Sequence, residues 1–421
     1  MHSHRNNIQR IGWTLLALGV LTVVFAGQAA AQSASYGMPG DWLSRYTGAR
    51  TTGLGGAFVA IADDPFGALW NPAGLHQMSQ NEVMFETNQY FEDTSINALG
   101  FTVPASSFPT LGLSVFSLNS GGFEKTNELN ETLGEFGQND LAFLVTGSKR
   151  LNKRFSVGAN LKIVRQQFED FNATGVGADL GVLMQVTPAL TLGASALNLA
   201  GPTVNLRGLD ETFPAELRGG LAYRFFAGRG VVSAEADYRD GPGTTFRAGT
   251  EVWVHDKMGL RVGYGGQSAG GGVSYKATHA MRLDYGVSNH ELGLVHRVGI
   301  SYRFGGFFAN SYAQPEVFSP MGENSVTKFH IKSKTKAETA DWALEIFDKH
   351  GEQVRRFGGK GVPPAHVMWD GKNEAGLTLP DGNYTYRVTV RDDEGRIIRA
   401  EEKTVEILTS GPQGGTPIIV E

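Results

Sequence analysis

Apolar and polar residues alternate with a period of two along much of the chain after residue 80. In ELGLVHRVGISYRF, residues 291–304, one parity is apolar except for His296, and it holds Leu292, Leu294, Val298, Ile300, Tyr302 and Phe304. Glycine and polar residues occupy most of the other parity. The segments AMRLDYGVS and ELRGGLAYRF repeat the pattern. Period two predicts β-strands with one apolar face.

Fourteen candidate strands follow from this pattern, and most are about ten residues long, the length that a tilted strand needs to cross a bilayer. Their predicted starts are Asn81, Thr94, Thr110, Asn139, Arg154, Thr174, Ala189, Ala215, Gly230, Thr244, Met258, Gly270, His279 and Glu291. An even strand number returns the chain to the side on which it began.

Numbered in chain order, the odd and the even connections between these strands differ in length. The long ones, Asn119 to Gln138 and Gly201 to Pro214, are the third and the seventh, whereas even connections such as 151–153 are tight turns. Outer-membrane barrels have short periplasmic turns and long external loops. The sequence therefore predicts an all-β fold, a fourteen-stranded antiparallel transmembrane β-barrel over residues 81–305. A soluble secreted all-β adhesin is the alternative to a membrane barrel, and such a protein would require no detergent to stay in solution.

The first 31 residues have the pattern of a secretory signal peptide, with Arg5 and Arg10, an apolar run from Ile11 to Phe25, and alanines before Gln32. A retained membrane anchor is the alternative. The chain has no cysteine, which excludes a lipid-anchored lipoprotein and disulfide stabilisation. Removing residues 1–31 takes away two arginines and no acids, leaving 35 basic and 42 acidic side chains and a net charge of −7. This charge argues against nucleic acid as a partner.

Residues 54–75, LGGAFVAIADDPFGALWNPAGL, precede the first strand. The glycine spacing fails the dinucleotide fingerprint, and no lysine is present for a phosphate loop. Asp63 and Asp64 could bind a metal, but acidic residues that open a turn before Pro65 are the favoured interpretation. A fourteen-stranded bore is too wide for wall side chains to fill. We therefore expect residues 32–80 to enter the barrel from the periplasmic end and to act as a plug.

This stretch resembles the N-terminal segment of the FadL superfamily of outer-membrane barrels, especially its PorV/PorQ branch. The resemblance implies a plug motif made of Gly55, Gly56, Asp63, Asp64, Asn71, Pro72, Ala73 and Gly74. The last strand also resembles the closing strand of that branch, which implies that Tyr302 and Phe304 are recognised by the barrel-assembly machinery.

After Phe304 the composition changes. Residues 306–324 are predicted to be a linker, residues 325–408 a small β-sandwich, and residues 409–421 a flexible tail. The sandwich resembles the FlgD-type immunoglobulin-like module, whose signature is present here as Trp369, Asp370, Gly371, Asp381, Gly382 and Tyr384. Trp369 would anchor its core, and strand parity would put the module in the periplasm unless it is passed outside separately.

No catalytic constellation is recognisable, so we expect no enzyme activity, no cofactor and no metal. The arginines of the strands are predicted to face the lumen and to pair with Glu216, Glu235, Glu251 and Asp284 in preference to forming an anion path. They are Arg165, Arg218, Arg224, Arg247, Arg282, Arg297 and Arg303. The aromatic residues Trp253, Tyr223, Tyr238, Tyr264, Tyr285, Tyr302 and Phe304 are predicted to form an interfacial girdle.

The resemblance implies a non-enzymatic component of protein export or surface attachment, as in type IX secretion. Its partners would be outer-membrane lipids, the barrel-assembly machinery, and secretion-system proteins or exported cargo. The alternative is a FadL-like channel for hydrophobic small molecules, in which residues 54–75 move. An apolar pocket in the lumen would be the signature of that alternative, and an inward parity rich in Arg, Asp, Gly and Ser counts mildly against it. In either case, Leu294→Arg should cost roughly 2–4 kcal/mol in bilayers and Arg297→Leu far less.

Overall fold

A computed structural model describes residues 39–409, except 46–47, 92, 107, 207, 241–242, 267, 291, 323–324 and 394. The predicted signal peptide, the start of the predicted plug and almost all of the predicted tail lie outside the described residues. The chain divides into two compact units, the first ending at Phe304 and the second beginning at Gly305. Among the described residues, no helix is both long and apolar enough to cross a membrane.

The first unit has short helices followed by sixteen strands. The helices are α1 Asp41–Arg45 and α2 Ala49–Gly53, and the 3-10 helices are η1 Pro65–Leu69, η2 Pro72–Gln77 and η3 Phe226–Gly228. The strands are β1 Asn81–Gln89, β2 Ser95–Val103, β3 Thr110–Thr126, β4 Thr132–Arg150, β5 Phe155–Phe168, β6 Phe171–Gln185, β7 Leu190–Ala200, β8 Thr203–Leu206, β9 Leu209–Thr212, β10 Glu216–Phe225, β11 Gly230–Arg239, β12 Gly243–His255, β13 Met258–Gly265, β14 Ser268–Lys276, β15 Met281–His290 and β16 Gly293–Phe304.

Fourteen of these strands form a closed antiparallel barrel, in which each strand pairs with its neighbours and β1 pairs with β16. The closing register places Asn81 opposite Phe304 and Gln89 opposite His296. Strands β8 and β9 form a separate hairpin in the connection between β7 and β10. The predicted fourteen-stranded antiparallel barrel is confirmed.

Alternate residues of each strand face outward, and the outward set is largely apolar. Leu113, Leu161 and Val298 are examples, with exposed fractions of 54%, 50% and 51%. A closed barrel satisfies all its backbone hydrogen bonds between strands, so an apolar exterior can face lipid. The fold is thus that of a transmembrane barrel.

Two side chains lie on the face opposite to the predicted one. Arg165 was predicted to face the lumen, but it is exposed and lies between the buried Val164 and Gln166, so it points outward. Trp253 was predicted to belong to the girdle, but it shares the inward parity of Glu251, and the Lys276 Nζ atom lies 3.9 Å from its ring centroid. The other predicted girdle residues have outward parity.

The predicted long loop from Asn119 to Gln138 is mostly strand, because β3 continues to Thr126 and β4 begins at Thr132. Cross-strand packing extends the hairpin beyond the length that crosses a bilayer: the Phe123 and Phe136 rings are 5.4 Å apart. The predicted end of β3 and start of β4 were wrong because we expected each strand to be only as long as a bilayer crossing requires. The predicted loop from Gly201 to Pro214 contains the β8–β9 hairpin.

The second unit is a β-sandwich. Its strands are β17 Phe308–Gln314, β18 Val317–Phe318, β19 Thr327–Lys334, β20 Thr339–Phe347, β21 Gln353–Lys360, β22 His366–Trp369, β23 Gly382–Asp392, β24 Ile397–Arg399 and β25 Lys403–Ile407. A three-stranded sheet, β17-β19-β22, packs on a six-stranded sheet around Trp369 and Tyr386. The predicted linker 306–324 is wrong as a boundary, since β17 pairs with β19 and β18 pairs with β25.

Candidate functional site

The interior of the barrel is occupied by the described residues between 40 and 78, which we call the bore segment. At its start, the Asp41 carboxylate forms an ion pair with Arg239, the last residue of β11. At its end, the backbone N–H of His76 donates to the Ser148 Oγ atom at 3.1 Å, and the His76 Nε2 atom lies 3.1 Å from the Ser156 Oγ atom. Ser148 and Ser156 flank the tight β4–β5 turn, whereas Arg239 precedes an odd-numbered connection. The segment therefore passes through the bore from one end to the other.

This path corrects the expectation that the segment enters from the periplasmic end. Strand β1 begins at the end of the barrel that carries the tight turns. A segment that starts near Arg239 must cross the whole bore to reach Asn81. The described part of the segment thus begins at the end that carries the long connections.

Glycines of the barrel wall allow the bore segment to pack directly on the strand backbone. At eleven inward positions, an added Cβ atom would lie closer than 3.0 Å to an atom of the segment: Gly100, Gly112, Gly158, Gly181, Gly193, Gly220, Gly249, Gly263, Gly265, Gly270 and Gly286. Any larger side chain there would overlap the segment. Part of the high glycine content of the chain is explained by this close packing.

Gly193→Ala tests this packing. The new Cβ atom would overlap the Val59 carbonyl and the Ala60 backbone, so we expect a loss of about 1–3 kcal/mol in the free energy of unfolding. Gly219→Ala is the matched control, because no atom lies within 4 Å of a Cβ atom at that position. Urea unfolding of both variants in the same detergent measures the difference, and equal stability would contradict direct backbone packing.

One wall of the bore holds the segment by ion pairs. The Arg50 guanidinium donates from Nε and Nη2 to the two Glu251 carboxylate oxygens at 2.9 and 3.0 Å, and it also pairs with Asp63. Arg261 connects this pair to Asp284, donating to the Glu251 and Asp284 carboxylates at 2.6 and 2.7 Å. We call Arg50, Asp63, Glu251, Arg261 and Asp284 the charge cluster. The cluster joins helix α2 of the segment to strands β12, β13 and β15.

Two wall carboxylates bind the backbone of the segment. One Glu235 oxygen accepts hydrogen bonds from the backbone N–H groups of Phe58 and Val59, both at 2.8 Å. One Glu86 oxygen accepts from the Ala49 N–H at 3.1 Å. These hydrogen bonds fix the path of the segment at two further points.

The second half of the predicted plug motif forms the turns at the end of the segment. The Asn71 side-chain amide donates to the carbonyls of Val59 and Val182 at 2.9 and 3.0 Å, and its oxygen accepts from the Ala73 N–H. Pro72 opens η2, and Gly74 packs against Ala62 where a Cβ atom would overlap.

The first half of the motif lies nearer α2. The Asp64 carboxylate caps η1 by accepting from the Gly67 N–H at 2.9 Å, while Asp63 belongs to the charge cluster. Gly55 and Gly56 have φ values of 63° and 81°, and a Cβ atom at Gly55 would overlap the backbone of Tyr264. The structure therefore places the eight motif residues within one continuous segment inside the barrel.

The remaining lumen arginines have different partners. Arg218 pairs with Glu216 at 2.6 Å and Arg282 with Asp284 at 2.7 Å. The other partners are Asp237 for Arg247, Asp63 for Arg224, Glu82 for Arg303, and the Tyr90 and Ser288 hydroxyls for Arg297. Most of these arginines pair with acids, although several of the partner acids were not identified from the sequence.

The opposite wall of the bore carries an apolar cluster among polar inward residues. Inward positions of β1 to β5 are occupied by Met84, Ile96, Ala98, Phe116, Leu118, Ala142, Leu144 and Val164. They form one cluster with Phe58, Phe66 and Trp70 of the segment and with Val204 and Phe213 near the β8–β9 hairpin. The Phe66 and Phe116 rings are 5.5 Å apart. We call this set the apolar cluster.

The apolar cluster was missed in the sequence because the inward parity was judged from later strands, where Arg, Asp, Gly and Ser dominate. In β1 to β5 the inward parity contains apolar residues as well as small and polar ones. Comparing the inward and outward residues of each strand separately would have revealed the apolar cluster.

The other predicted site residues lie elsewhere. Tyr302 and Phe304 are exposed at the end of β16, with their rings 6.0 Å apart. In the second unit, Trp369 is buried and its indole N–H donates to the Lys372 carbonyl at 2.9 Å. The Tyr384 hydroxyl donates to the Pro380 carbonyl at 2.7 Å.

The turns of the second unit contain the rest of its predicted signature. Asp370 accepts from the Lys372 N–H at 3.3 Å, and Asp381 accepts from the Thr409 N–H at 2.9 Å. Gly371 and Gly382 have φ values of 71° and 148°. Positive φ values of this kind favour glycine.

These observations define a fourteen-stranded transmembrane β-barrel, filled by its own N-terminal segment and followed by a β-sandwich. Residues 319–394 match the FlgD Ig-like domain, and residues 26–200 match a family described as Uncharacterised protein family (UPF0164). The first match confirms the FlgD-type module. No curated protein matches the chain.

Several solved structures have a similar overall fold. The CymD monoaromatic hydrocarbon channel is 14% identical, covering 61% of this chain and 97% of its own, with a TM-score of 0.49. A FadL homologue of Pseudomonas aeruginosa is 14% identical, with coverages of 62% and 98% and a TM-score of 0.48. The Pseudomonas putida toluene transporter TodX is 14% identical, with coverages of 61% and 97% and a TM-score of 0.47. None of these matches singles out the PorV/PorQ branch.

Proposed function

We propose that the barrel carries hydrophobic small molecules across the outer membrane and that the bore segment keeps it closed to ions. The apolar cluster supports this proposal most directly. It extends along the inward face of β1 to β5, and Val204 and Phe213 continue it towards the end with the long connections. An apolar lumen wall is the feature expected of the channel alternative.

The two walls of the bore hold the segment in different ways. On the β12 to β15 side, buried ion pairs hold it, and breaking one leaves an uncompensated charge. On the β2 to β5 side, apolar contacts such as Phe66 with Phe116 are non-directional. The side chains on that side that hydrogen-bond the segment backbone are the neutral Ser114, Ser148 and Asn160. A hydrophobic molecule could replace apolar side-chain contacts there without leaving a polar group unpaired. We therefore place the path of the hydrophobic molecule along the apolar cluster. On the other side of the bore, the charge cluster keeps the segment bound to the wall.

Transfer of a monoaromatic hydrocarbon into proteoliposomes tests the proposal. Leu118→Asn and Leu144→Asn put an amide into the apolar cluster at nearly constant size, and we expect each to slow transfer about tenfold, since burying an amide without a partner costs about 1–3 kcal/mol. Leu183→Asn is the matched control, because Leu183 is also buried and inward-facing but lies outside the cluster. Equal slowing by all three variants, or no transfer by the unmodified protein, would contradict the proposal.

A second candidate is the export or surface-attachment role, with secretion-system proteins or cargo as partners. The β3–β4 hairpin favours it, because strands of 17 and 19 residues exceed the bilayer length and the tip exposes Leu129 and Leu133. Replacing residues 122–136 by an Asn-Gly turn would abolish surface display of cargo under this role and leave hydrocarbon transfer unchanged. Unchanged display would remove the candidate.

A further inference from the structure

The two ends of the barrel carry opposite charge. At the end with the long connections, the described residues are mainly acidic: Glu124, Glu128, Glu131, Glu135, Glu169, Asp170, Asp210 and Glu211. At the end with the tight turns they are mainly basic: Lys149, Arg150, Lys153, Arg154, Arg229, Lys257 and Lys276. The basic residues are most concentrated in the β4–β5 connection, residues 149–154, which we call the basic turn.

The basic turn is internally ordered. The Asn152 side-chain oxygen accepts hydrogen bonds from the backbone N–H groups of Arg154 and Phe155, both at 2.9 Å. The Arg150 guanidinium donates to the Asn152 carbonyl at 3.0 Å and to the Gln185 side chain at 3.3 Å. Arg150 therefore stabilises the turn itself, and the turn presents the other three cations in a defined arrangement.

Those three cations have no acidic partner. Within the residues that the structure describes, no carboxylate lies within 4.0 Å of Lys149, Lys153 or Arg154. Asp256, an acid in the β12–β13 connection of this rim, pairs with Arg229 at 3.3 Å. Three uncompensated positive charges within six consecutive residues favour an anionic ligand.

The surroundings of the turn indicate a lipid ligand. Lys149 has the outward parity of β4, so it projects from the lipid-facing surface at the end of the strand. Leu151 and Phe155 flank the cations with exposed fractions of 61% and 39%, and Phe108 of the neighbouring β2–β3 connection is 78% exposed. Cations beside exposed apolar side chains at a strand end are suited to the boundary between acyl chains and headgroups.

We propose that the basic turn binds the phosphate headgroup of an anionic phospholipid, with Lys149, Lys153 and Arg154 on the phosphate and with Leu151 and Phe155 against the acyl chain. The site lies outside the bore. The proposal therefore depends on where the barrel lies in the membrane and does not depend on which molecule it transports. Each cation near an anionic surface contributes about 1 kcal/mol, or roughly fivefold in affinity.

Electron spin resonance of spin-labelled phosphatidylglycerol and phosphatidylcholine in the reconstituted barrel measures the relative association of the two lipids. The unmodified protein is expected to prefer phosphatidylglycerol. The triple variant K149Q/K153Q/R154Q should lower that preference by at least about tenfold. The control K125Q/R165Q, which removes exposed cations nearer the opposite end, should keep it, as should the charge-conserving variant K149R/K153R/R154K.

Three results would overturn the proposal. They are equal association of both lipids with the unmodified protein, an unchanged preference in the triple variant, and an equal loss in the control. Displacement of phosphatidylglycerol by inorganic phosphate beyond that caused by sodium chloride of the same ionic strength would assign the turn to free phosphate instead. Heat-modifiable migration on gels verifies that each variant forms the barrel.

Discussion

Arg50→Leu is expected to lower the free energy of unfolding by about 3–5 kcal/mol, because removing one partner leaves buried charges without compensation. The substitution takes two hydrogen bonds from Glu251 and an ion pair from Asp63. It also removes the side-chain ion pairs between helix α2 and the wall, so ions should pass through the bore. Urea unfolding in liposomes measures the first effect, and bilayer conductance measures the second.

Arg297→Leu is the matched control for Arg50. Arg297 is also buried and faces the lumen, but the groups it donates to are neutral: the Tyr90 and Ser288 hydroxyls and, at 3.5 Å, the Val295 carbonyl. Losing these hydrogen bonds should cost about 1–2 kcal/mol and should leave the segment in place. If both arginine variants lose equal stability and conduct equally, the charge cluster does not hold the bore segment.

Val298→Arg is expected to cost about 2–4 kcal/mol in bilayers, the range for a cation on the lipid face of a barrel near the midplane. Val298 is 51% exposed and lies at the middle of β16, between Thr87 of β1 and Tyr285 of β15. Unfolding of the variant and the unmodified protein is measured in liposomes and in detergent. The difference between the two losses of unfolding free energy is the contribution of the bilayer.

Leu294→Arg is the depth control. The sequence led us to expect the full cost at Leu294, but this residue is the second of β16 and lies near the end of the strand. The cost of a charge falls to about 0–1 kcal/mol near the interface, so Leu294→Arg should be much milder than Val298→Arg. Equal costs at both positions would contradict the transmembrane register.

The strands were predictable because each needs only a local pattern. The starts predicted at Asn81, Thr110 and Met258 coincide with those observed, since period two and turn residues suffice to locate them. The length of the β3–β4 hairpin was not predictable from that pattern, because it depends on cross-strand aromatic packing outside the bilayer.

The site was predictable only in part. The motif indicated that residues 54–75 occupy the bore, but the partners of the segment are distant in the chain: Arg50 and Glu251 are 201 positions apart. The direction of the segment and the apolar wall depend on which strands enclose which part of it. Neither follows from alternation, which is the same whichever face is turned inward.

The central claim is that a transmembrane barrel is closed to ions by its own residues 40–78, and planar-bilayer conductance of the unmodified protein tests it most directly. For the unmodified protein, the structure predicts no conductance steps of the size that a porin gives. For Arg50→Leu, it predicts that such steps occur. Steady open-pore conductance of the unmodified protein would contradict the claim.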